Sequence, residues 1–258
     1  MRRIFLITTY LLGIVFFLSF AVFVLSVSPL RFAQLLRDPE VAFALKFSLL
    51  TATISTAVTL SVALPIAYSL ARYDFPLKRF IKVIVDLPMA FPELLTGLVL
   101  LVFFSHLVDP LLGEWAPRLS FTPKAVVLAQ TAVALPFAIK VLYTAFEGVD
   151  RRYEWVARSL GYKPWEVFFK VVLPMVRGGL FSALAVAFAR AFGAFGAVLI
   201  FAGGVRMKTE TLPVGVFLSL SYGEMDKAVV MGSLLMVASL VTLLIIELLG
   251  EGKKQPRR

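Results

Sequence analysis

Cysteine is absent and histidine occurs once, at His106. Disulfides and thiolate chemistry are therefore excluded, and no metal site can be built from His and Cys. Asparagine is also absent, and glutamine occurs only at Gln34, Gln130 and Gln255. Scarcity of Asn, Gln and Cys follows a thermophile tendency, although apolar membrane segments are poor in these residues anyway. The sequence contains no H-E-x-x-H and no G-x-S-x-G, so an intramembrane enzyme has no catalytic constellation to draw on. Nor does it contain G-x-x-x-x-G-K-[ST], so it cannot cradle ATP phosphates in a P-loop.

Apolar residues are plentiful instead: 60% of the 258 residues are hydrophobic and the mean hydropathy is +0.90. Soluble globular chains are only about half apolar, which points to lipid as the solvent. The apolar residues fall in six blocks: Ile4–Val27, Ala44–Leu70, Val83–Leu107, Lys124–Phe146, Gly178–Gly203 and Lys227–Leu249. Each is long enough for the roughly 20 residues a helix needs to cross the ~30 Å hydrocarbon core. The expectation is an all-α polytopic membrane protein, one domain over residues 1–258, with six transmembrane helices. The first block follows Arg2 and Arg3 but is too long for the ~7–15-residue apolar core of a signal peptide, and reads as an uncleaved helix.

The net charge of +10 needs no nucleic acid, because basic loops on the cytoplasmic side explain it. Arg2 and Arg3, Arg72, Lys78, Arg79 and Lys82, Arg151, Arg152, Arg158, Lys163, Lys170 and Arg177, and Lys253, Lys254, Arg257 and Arg258 give sixteen basic residues on one side. The other side has eight: Arg31, Arg37, Lys46, Arg118, Lys124, Arg206, Lys208 and Lys227. Both termini and the segment 147–177 are therefore expected in the cytoplasm. Lys140 and Arg190 fall inside spans.

The segment 147–177 reads as helix, glycine turn, helix. Asp150 can cap, and Glu154, Val156, Ala157 and Leu160 give a short amphipathic helix. Gly161 tolerates the left-handed backbone that ends it, Pro164 suits a first helical position, and Pro174 is expected to break the second helix. Trp165, Phe168, Phe169 and Val172 form that helix's apolar face. Periodicity alone equally fits an amphipathic element resting on the bilayer. The residue pattern adds more. Glu154, Ala157, Gly161, Val171, Leu173 and Pro174 resemble the coupling motif of ABC importer permeases, with Trp155-Val156 in place of the usual acidic or small residues. The resemblance implies the type I importer permease fold, with this loop docking on a cytoplasmic ATPase through Glu154, Ala157, Gly161, Pro164, Leu173 and Pro174. It also implies two copies of that ATPase, holding ATP and Mg²⁺, a second copy of this chain, and an external binding protein. A secondary transporter would need no such motif, and no clear inverted repeat is present.

Leu87-Pro88-Met89-Ala90-Phe91-Pro92 with Gly97, the stretch Ala189–Ala197 and Thr211-Leu212-Pro213 resemble the oxyanion branch of these permeases. That branch carries molybdate, tungstate or sulfate, and the first two are favoured here. Iron and polyamine permeases share the coupling motif and remain alternatives. The candidate path residues are Arg190, Gly193, Gly196, Glu93, Pro88 and Pro92. A buried Arg must face protein or water. It either draws an oxyanion through its guanidinium fork or is neutralised by a carboxylate. Ala183, Ala187, Ala194 and Ala197 beside it leave room for close packing or for a passage. Ala194 stands where the family has Glu, so Glu93 is expected to supply the countercharge. Lys140 is expected to snorkel without a role, Pro65, Pro88, Pro92 and Pro136 to kink their spans, and His106 to sit at an interface.

Overall fold

The computed structural model describes residues 1–113 and 118–251, so the basic tail used for orientation, Lys253, Lys254, Arg257 and Arg258, lies outside the described residues. All regular structure among them is helical. The chain runs α1 (Arg2–Leu25), α2 (Pro29–Leu35), α3 (Pro39–Arg72), α4 (Lys78–Ala90) and α5 (Glu93–Phe103). A wide π turn (Phe104–Val108) leads to α6 (Asp109–Leu112). Then come α7 (Pro123–Glu147), α8 (Arg152–Ser159) and α9 (Pro164–Val167). A second π turn (Phe168–Val172) precedes α10 (Leu173–Met175), α11 (Arg177–Phe192), α12 (Gly196–Ala202), α13 (Leu212–Ser221) and α14 (Met225–Glu251).

Five helices are long and apolar enough to cross a membrane, and a sixth crossing exists if the segments Pro164–Met175 and Arg177–Phe192, bent by 78°, count as one. The starts of the long helices are sequence-coded. Asp38 Oδ1 accepts from the Glu40 N–H at 2.8 Å with Pro39 at the first position, and Thr122 does the same for Ala125 before Pro123. Such caps satisfy N–H groups that have no partner within the helix.

Two expected spans are not single helices. The third breaks at Phe91-Pro92: Pro92 has no N–H to donate and forces Phe91 out of the helical region, to ψ 151°. The membrane-length piece is therefore Glu93–Leu111, and α4 precedes it as a separate helix. The fifth block breaks over Gly193–Phe195, leaving α11 and the short α12. Between α12 and the last span lies α13, whose 10 apolar residues span only about 15 Å.

Without a hydrophobic drive between helices in lipid, packing relies on close approach of small residues. The α3, α7 and α11 contact follows that rule, with Ala52, Ala63, Ala67, Ala134, Ala138, Ala183, Ala187 and Ala191 buried. A second cluster joins α5, α7 and α12. There a side chain on Gly97 would meet the Ala197 backbone at 2.8 Å, and one on Gly196 the Leu94 nitrogen at 2.7 Å. The alanines flanking Arg190 thus serve packing rather than a passage. By contrast α1 is exposed along its apolar length and meets α14 where the Phe23 ring covers Gly232.

Candidate functional site

The segment 147–177 folds as helix, glycine turn, helix. The Asp150 carboxylate accepts from the Arg152 N–H, α8 follows, and Gly161 has φ +88°. Pro164 opens α9, and the Glu166 carboxylate reaches back to the Lys163 N–H at 3.0 Å. Glu166 also pairs with Lys170 at 2.8 Å, and that bond holds its pKa below the usual carboxylate value. Pro174 does not break the helix. The π turn at Phe168–Val172 absorbs its missing N–H, helical backbone continues to Met175, and the bend comes at Val176 (φ −94°, ψ 10°).

The two faces of α8 differ from the simple amphipathic pattern. Glu154 and Ala157 point inward and are buried, whereas Trp155, Val156 and Leu160 are exposed. Glu154 is expected from its charge to pair with basic groups, and it does so within its own chain. Arg72 at the end of α3 lies 2.5 Å from its Oε1, and Tyr68 donates to its Oε2 at 2.8 Å. Arg72 also donates to the Val149 carbonyl, and Arg151 to the Ala71 carbonyl. The Tyr68 ring packs edge-on against Phe146 and Phe168. This junction clamps the loop to α3 and α7, leaving Trp155, Val156, Leu160, Trp165 and Phe169 as the exposed apolar surface at that end. Leu173 lies beside Pro174, partly buried against the core.

Glu93 and Arg190 do not pair: among the described residues no ion pair joins them. Glu93 Oε2 instead accepts from the Phe195 N–H at 3.1 Å, at the start of α12. Three residues of interrupted backbone leave that N–H without a helical acceptor, and a carboxylate at a helix start is favourable. Arg190 lies with its guanidinium carbon 3.9 Å above the Phe137 ring. Gly193 closes α11 and Gly196 opens α12, while Pro88 lies within α4 and Pro92 precedes α5. Glu93, Pro92, Gly193 and Gly196 thus gather around the α5–α12 contact, whereas Arg190 lies against α7 and Pro88 within α4. His106 bonds only locally, to Ser105 and the Val102 carbonyl.

Residues 63–253 match the model of the family described as "Binding-protein-dependent transport system inner membrane component". The chain belongs to that family. It is 31% identical over 223 residues to the sulfate transport system permease protein CysT of Escherichia coli (strain K12), covering 85% of this chain and 80% of that one. It is 35% identical over 230 residues to the molybdenum transport system permease protein ModB of Mycobacterium tuberculosis, covering 88% and 84%. Among solved structures it resembles a chain of a bacterial alginate ABC transporter in complex with its pentasaccharide-bound periplasmic protein, with TM-score 0.70, 15% identity, and 98% and 95% coverage. The MetNI methionine transporter gives TM-score 0.58 at 19% identity over 88% of this chain and 97% of that one. These structures have the type I importer permease fold, and this permease shares it.

At the end of the permease opposite the segment 147–177, sequence reading missed an ion cluster. Arg206 lies 3.0 Å from Glu40 and 2.8 Å from Glu224. Lys227 lies 2.8 Å from Glu40, 3.4 Å from Glu224 and 3.7 Å from Asp38. Glu210, fully buried, accepts from the Met207 N–H at 3.0 Å. Burial pushes its pKa up to about 7, and the neighbouring Glu40 carboxylate pushes the same way. The only signal in the sequence was an unusual density of acids and bases around positions 38–40, 206–210 and 224–227. Among the described residues no group of three or more His, Asp or Glu is arranged to hold a metal ion.

Proposed function

We propose that this permease imports a tetrahedral oxyanion, molybdate or tungstate, delivered by an external binding protein and driven by two copies of a separate ABC ATPase that holds ATP and Mg²⁺. A homodimer of the chain forms the path, and α8 with both termini faces the cytoplasm. The observation that carries the coupling role is the junction of Glu154 with Arg72 and Tyr68. It fastens α8 to the end of a 34-residue helix, so displacement of α8 by a moving ATPase is passed to the transmembrane helices. The exposed Trp155, Val156 and Leu160 offer the ATPase an apolar surface. The cargo reading is supported by the molybdenum relative and by Arg190, whose charge has no carboxylate partner among the described residues. The relative named for sulfate favours sulfate as the second reading.

The test is uptake by the chain reconstituted with its ATPase and binding protein, with molybdate, tungstate and sulfate in competition. ATP-dependent uptake of molybdate or tungstate that persists in excess sulfate is expected. Uptake of sulfate alone reassigns the cargo, and uptake without ATP dependence removes the importer reading.

A further inference from the structure

Three cations lie beside α7 at three-residue intervals, on an arc of about 120° from Phe137 to Tyr143. Phe137, Lys140 and Thr144 have i, i+3, i+7 spacing and share a face, with Tyr143 at its border. Arg190 of α11 lies over the Phe137 ring, its guanidinium carbon 3.9 Å from the centroid. Lys140 is exposed, and no partner of its ammonium occurs among the described residues. Lys82 of α4 sits 4.0 Å above the Tyr143 ring. Successive steps along α7 are about 4.5 Å at 1.5 Å per residue. A cavity of ≈ 130 Å³ opens at the second and third steps, with Lys82, Asp86, Lys140, Tyr143 and Thr144 at its polar side and Leu70, Val85 and Ile139 at its apolar side. It has room for about four waters at ~30 Å³ each.

Arg190 and Lys82 are held in a way that keeps their charge available, and Lys140 is unpaired among the described residues. A ring beneath a guanidinium or ammonium positions it without neutralising it, and a stacked guanidinium keeps its edge N–H groups free. A cation in hydrocarbon costs at least about 2.5 kcal/mol on insertion scales, which favours turning Arg190, inside its span, toward protein or water. Asp86 is the opposing carboxylate in the cavity, and no ion pair joins it to Lys82 or Lys140 among the described residues.

We infer that Arg190, Lys140 and Lys82 form a stepped cationic lane, down which a dianionic tetrahedral oxyanion passes from the α5–α12 contact toward the coupling segment. This assigns Lys140, expected from the sequence only to snorkel, to the path, and it rests on the oxyanion reading above. Exposed cations, two of them held over rings, attract a dianion without trapping it, and Asp86 weakens the hold at the lower steps. The anion is handed on rather than bound tightly, as release requires.

The experiment counts oxyanions delivered per ATP hydrolysed by the full transporter in liposomes, for wild type, Lys140→Gln, Lys140→Arg and Lys82→Gln, with bound phospholipid phosphorus measured on each purified complex. Lys140 has no side-chain bond to lose, so its variants should assemble, and Lys82→Gln probes the lane independently. The expected result is about a tenfold drop in anions per ATP for Lys140→Gln, in line with the effect of charge focused along a cleft. Lys82→Gln should drop in the same direction, and Lys140→Arg should stay within about twofold of wild type because its charge is kept. Unchanged anions per ATP in both Gln variants overturns the lane while leaving the oxyanion importer intact. So does a Lys140→Arg as poor as Lys140→Gln. Loss of bound phospholipid with unchanged anions per ATP makes the face a lipid headgroup site and likewise overturns it. A wild type that moves no oxyanion overturns both readings.

Discussion

Glu154 meets Tyr68 across 86 positions of sequence. Its pair with Arg72 is nearly closed to solvent, with both side chains 6% exposed. Removing one member of a buried pair strands the other charge, at about 3–5 kcal/mol. Glu154→Ala should therefore lower thermal stability in detergent strongly, and Tyr68→Phe by about 0.5–1.5 kcal/mol. The double variant Glu154→Leu/Arg72→Met should recover much of the loss, because no charge is left unpaired. At the opposite end, Glu210 titrates near pH 7 in the fold, from an ordinary value of 4.5. The unfolded chain gives up this proton first. Stability contributed by the protonated form should thus decline as pH rises from about 4.5 to about 7 and then level off. Unfolding temperatures measured across that window should fall for wild type and stay flatter for Glu210→Gln. The acidic start of the coupling motif was legible in the sequence, but its partner was not. Which of sixteen basic residues on one side meets Glu154 depends on how α3 and α8 dock, and no local pattern records that.

Elements were legible where one rule dominates. The left-handed turn at Gly161 follows from a single residue's chemistry, whereas Pro92 reads as a kink within one span and the structure breaks the helix there. The fifth block misleads because apolar length says nothing of continuity. Its interruption at Gly193–Phe195 is stabilised by Glu93, which lies 102 positions from Phe195. Likewise, the π turn that accommodates Pro174 is a property of the whole bend. Gly161 has open space around it and φ +88°, so substitution there strains only the backbone. Gly161→Val should cost about 1–3 kcal/mol and reduce co-purification of the ATPase, whereas Gly161→Asn should keep it, since Asn tolerates this region better. Retained ATPase association and coupled uptake in Gly161→Val would contradict the proposed role of α8. Gly196→Leu should separate α12 from α5, where even one added carbon would lie 2.7 Å from Leu94.

For the molecule as a whole, the membrane class and the family were legible because lipid imposes a length on apolar helices and the motif a spacing, while two of the six expected spans are broken helices. The absence of native cysteine makes the proposed orientation directly measurable. Single cysteines at Ser159, just before the glycine turn, and at Ser221, at the end of α13, should be labelled by an impermeant thiol reagent from opposite sides of the membrane. Ser159→Cys should react only from the cytoplasmic face. Labelling of both from one side would contradict the proposed orientation.

Helix α3 carries Glu40 of the ion cluster at one end and Arg72 of the Glu154 junction at the other. Its 34 residues extend about 51 Å. A continuous helix of this kind makes the two ends thermodynamic neighbours despite their distance. Suppose an ATPase seated on α8 changes, by some factor, the affinity with which a loaded binding protein is held at the far end. Then the binding protein changes the ATPase's affinity for the permease by the same factor. Measuring either affinity with the other protein present gives both.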